Sequence, residues 1–268
     1  MSRVWRCMRW MVCVWAGMGL LTSPVRAEGE GSSDQNAAQM DVAQMDVARL
    51  LQEADAYRLP PSPVQVKVTV KLFKDGKLDK ERPYTVLAQP DRRSLVLFDH
   101  PSEKNQKVLM VDDDFWIILP NSRRPVRITP MQKLLGEAST GDIARMTWSG
   151  DYRGKVVGTT TINDAPCLIL DLEAARSGVS YQRIKLYIER DKHYPIKGEL
   201  YVASGKLAKV ADYQLGEMEG VPAVTSMVLT DRINTNMRTE VHYLEIKERE
   251  IPDRYFNAAY LVRNVEIE

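Results

Sequence analysis

Cysteine and histidine are scarce in this 268-residue chain, with three of each, and their positions exclude more than their number does. Cys7 and Cys13 stand at the extreme N-terminus, so a chain processed there keeps only Cys167 and has no internal disulfide. His100, His193 and His242 fall in three different elements, with no HxH or HExxH spacing, which speaks against a zinc site. Neither a GxSxG elbow, a Walker loop nor a GxGxxG turn occurs, so acyl-transfer, nucleotide and dinucleotide chemistry have no motif to rest on. Asp112-Asp113-Asp114 lacks the spaced oxygen donors and closing Glu of a calcium loop and reads as a solvated turn. Cys167, inside Pro166-Cys167-Leu168-Ile169-Leu170, reads as a buried strand thiol rather than a nucleophile. No catalytic residue, metal ligand or cofactor is predicted.

Long apolar runs are also missing. The apolar stretch MVCVWAGMGLL is about half the roughly 20 residues that a membrane-spanning helix needs. It follows Arg3, Arg6 and Arg9 and precedes Ser23-Pro24-Val25-Arg26-Ala27, a secretory signal layout with cleavage expected after Ala27. The predicted destination is an export compartment. Removing residues 1–27 takes four of the 37 basic residues and none of the 36 acidic ones, so the formal net charge falls from +1 to −3. A slightly acidic export product is a poor nucleic-acid binder, because that affinity comes from clustered cation–phosphate contacts. Residues 28–45 are rich in Gly, Ser, Gln and acid, and a tandem AQMDV covers 38–42 and 43–47. A disordered leader is expected there.

What the chain does have is strand pattern. Val47, Leu50, Leu51 and Ala54 recur at helical spacing behind Asp46 as N-cap, and Pro60-Pro61 stops that helix. From Pro63 to Lys74, Val64, Val66, Val68, Val70 and Leu72 alternate with polar residues, and Lys74-Asp75-Gly76-Lys77 makes a hairpin turn. The same grammar predicts strands over 84–88, 94–98, 107–111, 115–119, 154–162, 167–172, 182–189, 197–202, 206–214, 223–233 and 237–247. A continuous antiparallel meander of about a dozen strands follows, mainly β, forming a single domain over 46–268. A sheet that long curls, and one face must be covered. The helices available are few: 46–57, pieces of 130–147, and 253–261 after Pro252. An incompletely filled hollow is a ligand site in the manner of barrel mouths.

The segment LPNSRRPVRITPMQKLLGEASTGDIARM, residues 119–146, breaks this grammar. Pro120 and Pro125 cannot join a central ladder. Met131, Leu134 and Leu135 fall at helical spacing up to Gly136, and Ser139 or Thr140 can cap a second short helix carrying Ile143, Ala144 and Met146. Residues 122–147 are thus an apolar excursion with Arg123, Arg124 and Arg127 at its root. It is either a mobile flap or a static plug whose arginines pair with Glu137, Asp142 and Asp151. Strand parity leaves two possible inner faces at 95–98 and 115–118. The candidate lining is Trp116, Ile118, Leu134, Leu135, Ile143, Met146 and Trp148.

These residues also carry a resemblance. Asp114-Phe115-Trp116 leading to Leu119-Pro120, then Ser122-Arg123-Arg124-Pro125-Val126-Arg127-Ile128 and Leu135-Gly136-Glu137-Ala138-Ser139-Thr140-Gly141-Asp142-Ile143-Ala144, resemble the outer membrane lipoprotein-sorting group, relatives of the LolA and LolB carriers. His193-Tyr194-Pro195-Ile196-Lys197 and Arg232-Ile233-Asn234 extend the resemblance over roughly 55–265. It implies an unclosed, strongly curved antiparallel half-barrel of about 11–12 strands, with a few helices plugging its concave face. It further implies a monomeric, non-enzymatic periplasmic carrier for the acyl chains of lipoproteins or another lipid. The other reading is an accessory or sensor protein that uses the same fold to bind an inner-membrane exporter or an envelope-stress regulator. The group's functional residues are not transferable one by one.

Overall fold

The computed structural model describes residues 46–144, 147–231, 236–263 and 267. The expected signal and leader, with cleavage after Ala27, lie outside the described residues, as do Met146 and the Arg232-Ile233-Asn234 of the resemblance. Helix α1 spans Val47–Ala56. Its N-cap Asp46 accepts the amides of Ala48 and Arg49, at 3.0 and 3.4 Å. Leu50, Leu51 and Ala54 face the core, as their spacing requires.

Thirteen strands form one antiparallel sheet. They are β1 (Val64–Lys74), β2 (Lys77–Gln89), β3 (Arg93–Phe98), β4 (Lys107–Val111), β5 (Asp114–Ile118) and β6 (Val126–Ile128), then β9 (Tyr152–Ile162), β10 (Ala165–Ala174), β11 (Arg183–Glu189), β12 (Pro195–Tyr201), β13 (Leu207–Met218), β14 (Val221–Asp231) and β15 (Met237–Glu248). Each pairs with its neighbour in sequence, except that β1 pairs with β15 and no ladder joins β6 to β9. The sheet is therefore unclosed: the first and last strands sit at its centre, and its free edges are β6 and β9.

The chain between those edges crosses the mouth and carries a two-stranded hairpin, β7 (Lys133–Leu135) and β8 (Ala138–Ser139), then helix α2 (Thr140–Ile143) and helix α3 (Trp148–Asp151). The helix expected through Met131, Leu134 and Leu135 is thus a hairpin instead. Gly136 sits between its strands at φ +55°, a left-handed position that ends any helix and turns the chain. Strand β2 starts seven residues before the expected Tyr84. Its first half, Lys77–Arg82, has no apolar alternation because the ladder to β1 alone holds it, in solvent.

Two apolar clusters cover the two faces of the sheet. The inner one joins α1, the excursion and the concave face, including Val66, Val96, Val108, Met110 and Phe115. The outer cluster seats Leu87, Leu95, Leu109 and Ile118 beneath the C-terminal segment, through Ile251, Tyr255, Phe256 and Leu261. That segment is a 3-10 turn at Asp253–Phe256 and helix α4 at Ala258–Leu261, divided at Asn257. The Asn257 side chain accepts the amides of Ala259 and Tyr260. Burial on both sides explains why β3–β5 read as unbroken apolar runs.

Truncating Phe256, which is buried against this outer face, is expected to cost about 3–5 kcal/mol of unfolding free energy. Urea denaturation of Phe256→Ala measures it; an unchanged midpoint would show that the C-terminal segment does not cover the sheet.

Candidate functional site: a stoppered concave face

The inner face is built by β1–β5 and β9–β15 and stoppered by the 129–151 excursion. Leu135, Ile143 and Trp148 are buried in the inner cluster, and Leu134 packs half-buried against it. Trp116 and Ile118 lie on the opposite face, against the C-terminal segment, because parity sends Phe115 and Ile117 inward. Arg123 and Arg124 are exposed, and Arg127 forms an ion pair with Asp114 of the adjacent strand. The structure therefore brings Leu134, Leu135, Ile143 and Trp148 together and separates them from the three arginines. The expected pairing of those arginines with Glu137, Asp142 and Asp151 is not the one found. Glu137 meets Lys133 at 2.8 Å, Asp142 meets Lys209 at 2.9 Å, and Asp151 contacts Arg92.

Polar contacts fasten the stopper at three places. At the first, Lys209 of β13 is buried and donates to Asp142 and to the Glu137 carbonyl. Asp142 also accepts the Ser139 amide and hydroxyl at 2.9 and 2.7 Å and the Tyr181 hydroxyl at 2.9 Å. Burial pushes the Asp142 carboxyl up, but the Lys209 charge and these hydrogen bonds outweigh it and hold the group below the ordinary aspartate range. At the second, the Glu137 amide donates to Thr239 Oγ1 of β15 at 2.8 Å. A Cβ on Gly136 would fall 2.3 Å from that same oxygen and 2.9 Å from Leu72 Cδ1, so only glycine lets the hairpin lie this close.

The third fastening belongs to α1. Asp55, buried, accepts the amides of Trp148 and Ser149 at 3.0 and 2.8 Å and so caps α3 from another helix. Burial raises its pKa, opposed by Arg58 and those amides. The Arg58 guanidinium lies 4.1 Å over the Trp148 ring, which meets Tyr213 edge-on at 5.6 Å. Sequence reading passed over Asp55, Arg58, Tyr181 and Lys209. The signal for Lys209 was present: it shares the inward parity of Ala211 and Tyr213.

Two hollows remain. One of about 300 Å³ opens between the end of α1, the Leu59–Ser62 exit, the β2–β3 turn and Met110, and reaches Ala144 and Ser149. A smaller one of about 50 Å³ is lined by Arg58, Asp142, Trp148, Tyr152, Tyr181 and Tyr213. Burial raises the pKa of all three tyrosines, so they stay neutral and act as hydrogen-bonding walls. Cys167 lies outside both hollows, buried, with its pKa raised by burial. Among the described residues, no group of three or more His, Cys, Asp or Glu could hold a metal ion.

Two outcomes follow. Gly136→Ala is expected to lose about 2 kcal/mol or more, since it combines a strained φ with a clash; denaturant unfolding reads the loss. Because the folded pKa of Asp142 lies below the usual value near 3.8, its stabilising share is complete above that value and disappears as pH falls through the folded one. Asp55 titrates in the opposite sense, so the difference between wild type and Asp142→Asn isolates Asp142. The variant is expected to lose about 3–5 kcal/mol at neutral pH by leaving Lys209 buried and unpaired, with a shallower acid slope below about pH 4. Unfolding curves at neutral and acid pH check it, and parallel curves would refute the buried pair.

A family model described as an uncharacterized protein matches residues 90–263, and no curated protein matches the chain. Among solved structures, the chain is similar to a LolA superfamily protein from Nitrosomonas europaea, at 29% identity and TM-score 0.74, covering 82% of this chain and 99% of that one. It is also similar to a DUF1329 family protein from Desulfovibrio piger, at 19% identity and TM-score 0.66, covering 80% and 97%. A third similarity is to a Vibrio parahaemolyticus domain described as an outer membrane lipoprotein-sorting protein, at 18% identity and TM-score 0.65, covering 81% and 98%. The last two show the shared fold alone. The family match runs from the β2–β3 turn through the stopper to the C-terminal segment, so the chain belongs to that family, and its unclosed sheet with a stoppered concave face is the LolA-like fold.

Proposed function

We propose that this protein is a non-enzymatic periplasmic carrier that takes the acyl chains of lipoproteins, or of another lipid, into its concave face. The observation that carries the reading is the construction of the stopper. It consists of two- to four-residue elements, pinned by a few polar contacts over an apolar sheet face, with a hollow of about 300 Å³ already open at its seam. That volume sits at the lower end of the roughly 300–1,000 Å³ typical of drug-sized ligand sites, so several acyl chains enter only if the stopper moves. Hiding them is favourable by about 0.8 kcal/mol per methylene, and release requires the cover to be displaceable rather than a long helix packed for good.

Mass spectrometry of organic extracts from protein purified out of its native compartment is expected to show bound acyl lipids, and a fluorescent fatty acid is expected to be taken up. Ala56 is exposed at the mouth of the hollow, where a larger side chain fits without entering the core. Ala56→Trp should therefore reduce uptake several-fold while leaving the unfolding midpoint in place. Absence of both extracted lipid and uptake would sink the carrier reading.

A further inference from the structure

The two free edges of the sheet differ. Edge β6 is three residues long, follows Pro125, and has its Arg127 engaged by Asp114. Edge β9 is eleven residues long and contains no proline. Its ladder to β10 is regular from Tyr152 to Val156 and shifts only beyond that point. A long edge presents a row of backbone amides and carbonyls for another strand; β9 lacks proline, and its guards are the exposed Arg153 and Lys155 and the register shift beyond Val156.

Alongside this stretch lies helix α1, and between the two runs a groove of about 330 Å³. Its apolar lining is Val47, Ala48 and Leu51 from α1 with Tyr152 and Val156 from β9; Asp46 stands at the α1 end, and Arg153 and Lys155 complete the β9 side. Gly154 stands between the last two, and a Cβ there would fall 2.0 Å from the Asp171 carbonyl oxygen, so this part of the floor stays bare.

The outer face of the same strands carries a charge pattern that stops at β9. Lys185 of β11 stands between Glu199 of β12 and Asp171 of β10, and Arg183 stands opposite Glu173. Asp171 and Glu173 in turn stand opposite Lys155 and Arg153 of β9. The sign thus alternates strand by strand, and the series ends on two exposed cations. Asp171 is already held by Arg183 through bonds of 2.7 and 2.9 Å, which leaves Lys155 a weak claim on it. A strand laid beside β9 would continue the alternation only if it carried acids on that face and apolar side chains on the other.

We propose that the β9 edge from Tyr152 to Val156, with α1 as its wall, is a docking site for an extended segment of a partner protein. The segment has acidic side chains at alternate positions and apolar ones between them. It adds to the sheet as a further strand: backbone hydrogen bonds hold it, the groove takes its apolar side chains, and Arg153 and Lys155 take its carboxylates. The site lies outside the lipid hollow and does not depend on it.

Fluorescence anisotropy with the whole chain tests this, using a labelled peptide of about seven residues that alternates valine and aspartate. It is expected to bind, and a valine–lysine peptide to bind about tenfold more weakly or not at all. The surface double variant Arg153→Glu, Lys155→Glu is expected to reverse that preference. N-methylation of alternate amides, in whichever phase faces β9, is expected to abolish binding of the aspartate peptide, and Ala56→Trp to leave it unchanged. No binding up to about 1 mM overturns the proposal. So does equal binding of the N-methylated peptides, which would show charge attraction without strand pairing, and so does an unchanged preference in the double variant.

Discussion

The ladder between β1 and β15 places the first and last strands of the sheet side by side at its centre. In an otherwise sequential meander, both free edges must then arise in the middle of the chain, at β6 and β9. The residues between them have to cross from one edge to the other. A curved sheet exposes an apolar concave face to that crossing, and the crossing segment is pressed into service as its cover. The stopper is in this sense a consequence of connectivity, and the groove beside β9 is the other consequence, since the crossing arrives at that edge without pairing to it.

A cover made of such short pieces cannot hold itself together. Helices α2 and α3 have four residues each, far below the length at which a helix is stable alone. Ser139 and Asp142 close the start of α2 from within, while contacts from outside hold the rest: Asp55 caps α3, and Lys209 binds both Asp142 and the carbonyl of Glu137. Buried charges of this kind add little net stability, since desolvation offsets most of their attraction. What they contribute here is position: an apolar loop could slide over an apolar sheet, whereas Lys209 and Asp55 admit one register.

The strands were legible because alternation survives wherever one face is wet. Val64 to Leu72 shows it, and β9–β15 were readable to within a few residues. Helix α1 was legible from Asp46 and its apolar stripe. In the stopper, the short helix behind Ser139 was legible from its cap, whereas the hairpin was not, because Met131, Leu134 and Leu135 satisfy helical spacing and hairpin packing equally well. The deciding fact, that Gly136 lies against Thr239 and Leu72, involves residues about a hundred and about sixty positions away. The face assignment at Trp116 and Ile118 failed for a related reason: both parities of β5 are apolar, and only the C-terminal segment, folded across β3–β5, shows which is which. The arginines at 123, 124 and 127 stand out by number, yet the buried cation that fastens the stopper is Lys209, flanked in its parity by Leu207, Ala211 and Tyr213.

The energies also bear on whether such a cover can serve a carrier. Exposing Leu135, Ile143 and Trp148 costs about 1.5–3 kcal/mol per side chain, roughly 5–9 in all, and releasing the polar fastenings adds a few more. Under the proposed function, one acyl chain of about fifteen methylenes would recover about 12 kcal/mol if it took their place against the sheet. The two quantities are close, and that closeness is what exchange requires. A tighter stopper would exclude the chain, and a looser one would leave the empty protein with an apolar face open to water. Because the cover is held at a few polar points over apolar contact, small changes at Lys209, Asp142 or Asp55 shift this balance by as much as a large-to-small apolar substitution on the sheet.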